Sequence, residues 1–225
     1  MDRSAPPSLL PAAMDRDRMA CNPIGGSEMA TQSTTTVQKP INIRKWVEDH
    51  RDDFRPPVGN KYLYRGEDFF VMVIGGPNAR NDFHKTGSEE YFFQLEGDIC
   101  VQTIEDGRIV NHLVREGETF FIPPNVPHAP HRPPGTVGVV VERNRPAGET
   151  EHQQFYCPNC HEMAWDEEFD CADIVEHFRD SMEAFWADPA RSTCTHCGTR
   201  IGKPGPVERI EVGEDVTILR CGEES

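Results

Sequence analysis

The run Glu90-Tyr91-Phe92-Phe93-Gln94-Leu95-Glu96-Gly97-Asp98-Ile99-Cys100-Val101-Gln102-Thr103-Ile104-Glu105-Asp106-Gly107 holds two stretches rich in aromatic and β-branched residues, each closed by a turn of acidic residues and glycine. Such composition favours the pleated, half-buried surface of a strand, and the turns favour antiparallel pairing. The same signals recur outward, at Tyr62–Tyr64, Phe69–Ile74, Arg108–Val114, Thr119–Ile122 and Val137–Glu142. Gly75-Gly76-Pro77 and Arg115-Glu116-Gly117 punctuate them. Short strands spaced in this way, about 8–12 residues apart, form a sandwich or barrel. A short helix is expected ahead of them at Ile43–His50.

Two histidines and one carboxylate flank the decisive run. His84 and Glu90 lie in Asn81-Asp82-Phe83-His84-Lys85-Thr86-Gly87-Ser88-Glu89-Glu90, and His128 ends Ile122-Pro123-Pro124-Asn125-Val126-Pro127-His128. Two neutral imidazoles and a carboxylate on one face of a metal leave the opposite face open, as non-haem Fe(II) oxygenases require. The spacing therefore points to an oxygenase. Glu89 and His131 are nearby competitors, but strand alternation turns Glu89 away from the side that Glu90 faces.

At 225 residues and 36% hydrophobic content, the chain supports one medium β domain with a small appended module. A net charge of −15 argues against a nucleic-acid partner, which wants a clustered basic surface. An anionic substrate must then be met by locally placed arginines. No apolar run approaches the roughly 20 residues needed to cross a bilayer, and no secretory signal is recognisable, so a cytoplasmic protein with no membrane partner is expected. Residues 1–40, rich in Pro, Ser, Thr, Ala and Met, are expected to be a disordered tail. The expected organisation continues with a catalytic β domain over 41–149, a cysteine module over 150–203 and an acidic tail over 204–225. A strand is allowed within that tail at Val216–Leu219.

Of eight cysteines, Cys157, Cys160, Cys194 and Cys197 form two pairs with knuckle spacing. In a chain without an export signal that pattern binds metal rather than forming disulfides. Four thiolates suit one tetrahedral Fe or Zn. Cys21, Cys100, Cys171 and Cys221 show no such pattern and are expected to be incidental thiols. An amphipathic helix from Cys171 to Ala187 separates the knuckles, with Ile174, Val175, Phe178, Met182, Phe185 and Trp186 on one face. That stripe is expected to serve packing, not a cofactor.

The histidine motifs resemble those of the cupin barrel, G-x5-H-x-H-x3,4-E-x6-G and G-x5-P-x-G-x2-H-x3-N. Here they read His84-x5-Glu90-x6-Gly97, with Asp82 in place of the leading histidine, and Gly117-x5-Pro123-x-Asn125-x2-His128-x3-Arg132. The resemblance implies an all-β cupin fold, a double-stranded β-helix or jelly-roll barrel. Losing one histidine makes a three-ligand site with room for two substrate atoms and O2.

Further motifs narrow the resemblance. Pro56-Pro57-Val58-Gly59-Asn60-Lys61, Gly75-Gly76-Pro77-Asn78-Ala79-Arg80, Glu89-Glu90-Tyr91-Phe92, Pro123-Pro124-Asn125-Val126-Pro127-His128 and Glu142-Arg143-Asn144-Arg145-Pro146 resemble the 3-hydroxyanthranilate 3,4-dioxygenase family. The likeness spans about Asn42 to Gly202. It implies a single-cupin enzyme of the kynurenine route to quinolinate and NAD, with His84, Glu90 and His128 holding Fe(II). It also implies cleavage of 3-hydroxyanthranilate by O2 to 2-amino-3-carboxymuconate 6-semialdehyde, and a homodimer. Arg80 and Arg132 match the family's pocket arginines, suited to the substrate carboxylate. Glu142 matches a pocket glutamate able to accept a hydrogen bond and help move a proton. Asn60 matches a pocket amide, although the residues alone give it a turn role. The cysteine module resembles the rubredoxin-like site of microbial members; His161 stands where a second knuckle glycine is expected. Its closed four-thiolate shell implies a structural role.

Two other classes fit the same ligand pattern. A metal-dependent cupin isomerase uses similar ligands without oxygen, so oxygen consumption separates it. A non-catalytic metal-binding cupin would bind an aromatic acid without turnover.

Overall fold

The computed structural model describes residues 37–170 and 174–222. Most of the segment expected to be a disordered tail, together with Cys21, Cys171 and the expected onset of the second helix, lies outside those residues. So does the side chain of Val175. Thirteen strands and three α-helices form the described fold.

Helix α1 (Ile43–His50) begins where Asn42 Oδ1 accepts the Lys45 amide at 3.1 Å, satisfying one of the first-turn donors. Strands β1 (Gly59–Arg65), β2 (Phe69–Gly75), β4 (Glu90–Glu96), β7 (Thr119–Ile122) and β9 (Val137–Arg143) build a five-stranded sheet in the order β1-β2-β9-β4-β7. A six-stranded sheet has the order β11-β10-β3-β8-β5-β6. It comprises β3 (Asp82–Lys85), β5 (Ile99–Glu105), β6 (Arg108–Val114), β8 (His128–His131), β10 (Glu151–Tyr156) and β11 (Met163–Phe169). All the named pairings are antiparallel. The two facing antiparallel sheets are the cupin barrel.

Alternation puts Phe70 and Met72 of β2, Phe92 of β4, Ile99 and Val101 of β5 and Val140 of β9 in one core. Burying each such side chain contributes about 1.5–3 kcal/mol. On the outer face of the five-stranded sheet, Val47 of α1 joins Phe54, Val73, Leu95 and Val137 in a second, smaller core. The turns behave as their residues demand: Gly97, Gly107 and Gly117 have φ of 64°, 74° and 84°.

Three features differ from the expectation. The line drawn between a catalytic domain ending at 149 and a cysteine module starting at 150 crosses a continuous sheet. β10 pairs with β3 through Gln153↔His84, so the module is joined to the barrel by backbone hydrogen bonds. The expected acidic tail contains a hairpin, β12 (Val207–Val212) with β13 (Val216–Arg220). Finally, α2 (Ile174–Ala187) does pack, with Met182 and Phe185 fully buried and Phe185 stacked on Phe155, but its first turns also reach the barrel's interior. A short α3 (Pro189–Ser192) follows.

Candidate active site

His84 and His128 face each other across β3 and β8 as the Cα partners of that pair. Glu90 comes from the opposite sheet, as the first residue of β4, beside Glu142 of β9. The sandwich thus brings two imidazoles and a carboxylate together inside the barrel. All three are buried, and one ligand atom of each lies within 4.8 Å of the others.

The hydrogen-bond pattern fixes which atoms converge. His84 Nε2 lies 3.0 Å from Glu151 Oε2, a carboxylate that can only accept, so Nε2 donates and Nδ1 keeps its lone pair. His128 Nδ1 donates to the Val126 carbonyl at 3.0 Å, leaving the lone pair of Nε2. Those two free nitrogens each lie 3.2 Å from Glu90 Oε1, which has no hydrogen-bond partner. Three lone pairs facing one another in a dry interior repel unless a cation sits among them. The donor set therefore fits a metal ion bound by two nitrogens and one oxygen with an open side.

Without that ion the same groups compete for protons. Burial pulls the His84 pKa down, but Glu151 and Glu90 outweigh it and raise it to about 9. Burial would raise Glu90, yet the charges of His128 and His84 beside it hold it well below the usual carboxylate range. Burial, followed by the charge of Glu90, pushes Glu142 up to about 7 against the pull of Arg145.

A small cavity of about 30 Å³ adjoins the ligands, lined among others by Asn60, Arg80, His84, Glu90, His128 and Glu142. Its roof is Ile174 and Phe178 of α2. Phe178 meets the His84 ring edge-to-face at 4.7 Å between centroids, and the Arg80 guanidinium lies 5.7 Å from the Phe178 ring. The space holds an ion or a single water, so an aromatic ring enters only if the roof shifts. Arg80 is clamped in two-point fashion by Asp82, with Nε–Oδ1 at 2.9 Å and Nη2–Oδ2 at 2.7 Å. Gln153 donates to Asp82 from the far side. The residue that replaces the leading histidine therefore orients Arg80 instead of binding metal.

Six of the seven residues expected in the site share this cavity; Arg132 does not line it. Its guanidinium lies over Gly138, where an added Cβ would sit 2.9 Å from Nη1, and Nη1 reaches Gln94 Oε1 at 3.2 Å. Arg132 Nε and Nη2 are buried without partners. Burial, then the charge of Arg80, pulls its pKa down to about 9. Glu89 is exposed, as alternation requires. His131 bonds Gln102 and Arg220 instead of joining His84, Glu90 and His128.

The sequence reading missed Glu151 and Arg145. Glu151, fully buried, accepts from His84 and from Thr86 Oγ1 at 3.1 Å, and forms a close ion pair with Arg145 Nε. Arg145 Nη2 also donates to Glu142 Oε2 at 2.6 Å. One guanidinium thus ties the carboxylate that orients His84 to the carboxylate facing the cavity. Arg145 lies inside the motif Glu142-Arg143-Asn144-Arg145-Pro146, but nothing local signals Glu151, which stands 67 residues from His84.

The four cysteines also converge. Cys157 Sγ lies 3.5 Å from Cys197 Sγ and Cys160 Sγ 3.6 Å from Cys194 Sγ, with all four mutually within 4.8 Å. In each knuckle a backbone amide bonds back to the first cysteine carbonyl, from His161 to Cys157 at 2.9 Å and from Gly198 to Cys194 at 2.8 Å. His161 adopts φ 63° and Gly198 φ 74°. The histidine therefore takes the left-handed conformation expected of a glycine there, at some backbone strain.

A family model described as 3-hydroxyanthranilic acid dioxygenase matches residues 35–186. Three similar curated proteins are all named 3-hydroxyanthranilate 3,4-dioxygenase. That of Lodderomyces elongisporus is 41% identical over 162 residues, covering 72% of this chain and 92% of its own. That of Xanthomonas campestris pv. campestris is 42% identical over 159 residues, covering 71% and 90%. The Neurospora crassa protein is 37% identical over 175 residues, covering 76% and 97%.

Proposed function

Because the chain belongs to the 3-hydroxyanthranilic acid dioxygenase family, we propose that it opens the ring of 3-hydroxyanthranilate with O2 at a ferrous ion held by His84, Glu90 and His128. The observation that carries this reading is the convergence of three buried lone pairs beside a cavity that Arg80, Asn60 and Glu142 share. Held by His84, Glu90 and His128, Fe(II) would supply chelation of the adjacent hydroxyl and amine and activation of O2.

The chain's own groups do the rest. Glu151 holds the His84 ring in the tautomer that presents Nδ1, and the Val126 carbonyl does the same for His128 Nε2. Arg80 and Arg132 take the substrate carboxylate, whose two oxygens match the planar guanidinium. The partnerless Nε and Nη2 of Arg132 support this, and a turn of its side chain toward the cavity is part of the proposal. Glu142, with its pKa near 7 and its Arg145 partner, can hold a proton taken from the bound hydroxyl or amine. Asn60 offers an amide to the substrate. Phe178 and Ile174 close over the ring and exclude water.

The product, 2-amino-3-carboxymuconate 6-semialdehyde, retains both atoms of O2 and closes to quinolinate unaided, which places the reaction on the kynurenine route toward NAD. We also assign a second Fe or Zn to Cys157, Cys160, Cys194 and Cys197, where a closed shell contributes folding free energy. A cytoplasmic homodimer completes the proposal. Four cysteines grouped to bind a metal rather than to form disulfides are in keeping with the first, and exposed Phe69, Tyr91 and Phe121 on the barrel with the second.

The test is an anaerobic preparation loaded with Fe(II), given 3-hydroxyanthranilate and then air, and followed for product absorbance. Turnover without oxygen would favour an isomerase, and binding without turnover a non-catalytic cupin.

A further inference from the structure

The C-terminal hairpin lies beyond the 35–186 span of the family match, yet it reaches the arginine side of the barrel. The loop from Asn78 to Asn81 carries Arg80, and the segment after β8 carries Arg132. Asn78 stitches the two together: its Oδ1 accepts the Arg132 amide at 3.0 Å, its Nδ2 donates to the Pro130 carbonyl at 2.7 Å, and its amide donates to the Arg132 carbonyl at 3.1 Å. The hairpin then grips this loop at two points. The Val207 amide donates to the Asn78 carbonyl at 2.8 Å. Arg220, the last residue of β13, donates through Nη2 to the Arg80 carbonyl at 2.8 Å and to His131 Nδ1 at 3.0 Å. His131 is the residue directly before Arg132 and is anchored on its other side by Gln102.

Arg220 itself is firmly held. Its Nη1 donates to the Gly205 carbonyl at 3.0 Å, and the Cys221 amide donates to the Pro206 carbonyl at 2.9 Å. Gly205 allows this close return, since an added Cβ would lie 2.0 Å from the Cys221 carbonyl oxygen. One guanidinium thus touches the backbone of one proposed carboxylate-binding arginine and the immediate neighbour of the other. A displacement of about 1 Å in such groups is enough to weaken recognition, because two-point pairing to a carboxylate depends on geometry.

We propose that Arg220 is a positioning residue for the carboxylate end of the substrate, fixing Arg80 through its carbonyl and Arg132 through His131, so that the C-terminal hairpin belongs to the substrate-recognition apparatus. The proposal rests on the reading that Arg80 and Arg132 bind the carboxylate. It implies that Arg220 affects ligands that carry the carboxylate and leaves others alone.

The test compares 3-hydroxyanthranilate with 2-aminophenol, which has the chelating pair but no carboxylate. Dissociation constants are measured on full-length protein whose cupin site holds redox-inert Zn(II), alongside KM and kcat of the Fe(II) form. Arg220→Met is expected to weaken 3-hydroxyanthranilate about tenfold, in both dissociation constant and KM, with 2-aminophenol affinity and bound metal unchanged. Arg220→Lys, which keeps a donor, is expected to recover part of the loss. Asn111→Asp removes a different hairpin anchor, the 2.8 Å bond from Asn111 Nδ2 to the Val216 carbonyl, while keeping the Oδ1 that accepts Gln102 Nε2 at 2.9 Å and so leaving the His131 anchor in place; it is expected to leave the ratio of the two affinities as in the parent. Equal weakening of both ligands by Arg220→Met, or the same shift in Asn111→Asp, would mean that the hairpin only supports the fold and would overturn the proposal. Arg80→Met and Arg132→Met serve as the reference: if they discriminate between the ligands and Arg220→Met does not, the proposal fails alone. If neither of them discriminates, the carboxylate reading fails and the proposal with it.

Discussion

Replacing Glu151 with Gln tests how His84 is prepared for its proposed role as a metal ligand. The carboxylate takes three donors on two oxygens: His84 Nε2 at 3.0 Å, Thr86 Oγ1 at 3.1 Å and Arg145 Nε. A carboxamide keeps the volume but offers one accepting oxygen, so its NH2 must confront a donor on the other side. If the oxygen faces His84, the amide meets Thr86 and Arg145; if it turns round, His84 loses its partner and its preferred tautomer. Either way the imidazole is less basic toward a metal. Loss of such an orienting partner weakens metal binding by about 10–100-fold, or about 1.4–2.8 kcal/mol. Arg145 retains Glu142, so the fold should survive. Equilibrium dialysis against buffered Zn(II), with the cysteine site already saturated, reads the cupin site directly. An affinity within about twofold of the parent would refute the argument that Glu151 sets the His84 tautomer.

Gly138→Ala places a Cβ 2.8 Å from Gln94 Oε1 and 2.9 Å from Arg132 Nη1; we expect a raised KM for 3-hydroxyanthranilate with the cupin metal retained, read by steady-state kinetics and metal analysis on one preparation. Metal uptake should depend on pH with a defined sign. His84 keeps its proton up to about 9 in the metal-free chain and must lose it to bind, so log affinity should rise by about one per pH unit below that value and flatten above it. The metal-free chain should show the opposite trend in stability: the raised His84 pKa stabilises fully below the unfolded value of 6.5 and is lost as pH climbs through about 9, which thermal unfolding of metal-free protein would detect. Converting Cys157 and Cys160 to Ser should lower bound metal from about two to about one per chain. Turnover per cupin metal should persist while the unfolding temperature falls; collapse of that turnover with an intact fold would give the cysteine site a catalytic part.

What could be read in the sequence follows from burial pattern. Strands β1, β2, β4, β5, β6, β7 and β9 carry aromatic and β-branched runs between glycine turns, and each was legible. The helix before them was legible too, because an Asn cap precedes an amphipathic turn. Strands β3 and β8 were not, since their four-residue runs carry Asp82, His84, His128 and His131 and are buried at every position but the half-buried Lys85. Polar residues that serve a site erase the alternation that would reveal the strand. β10 was hidden likewise, because buried Glu151 and Gln153 are solvated by neighbouring side chains instead of water. β11 carries Asp166, Glu167 and Glu168 at a sheet edge, where charge discourages further pairing.

The candidate ligands His84, Glu90 and His128 could be picked out as a group because their spacing is fixed by strand and turn length. Arg132 shows the limit of such spacing: lying four residues beyond His128 locates its Cα but not the direction of its guanidinium, which follows the open space above Gly138. Glu151 and Arg220 were invisible for a related reason. Each acts on residues far away in the chain, and only the sheet pairing of β10 and the return of the C-terminal hairpin bring them there.

The most direct test of the account is the oxygen stoichiometry of Fe(II)-loaded protein turning over 3-hydroxyanthranilate. Oxygen electrode and product absorbance are recorded together, with catalase present and absent, and with no added reductant. One O2 is expected to be consumed per ring opened, with no return of oxygen on adding catalase and no uptake by the His84→Ala, Glu90→Ala or His128→Ala variants. Ring opening without oxygen uptake, hydrogen peroxide as a product, or full activity in a ligand variant would contradict it.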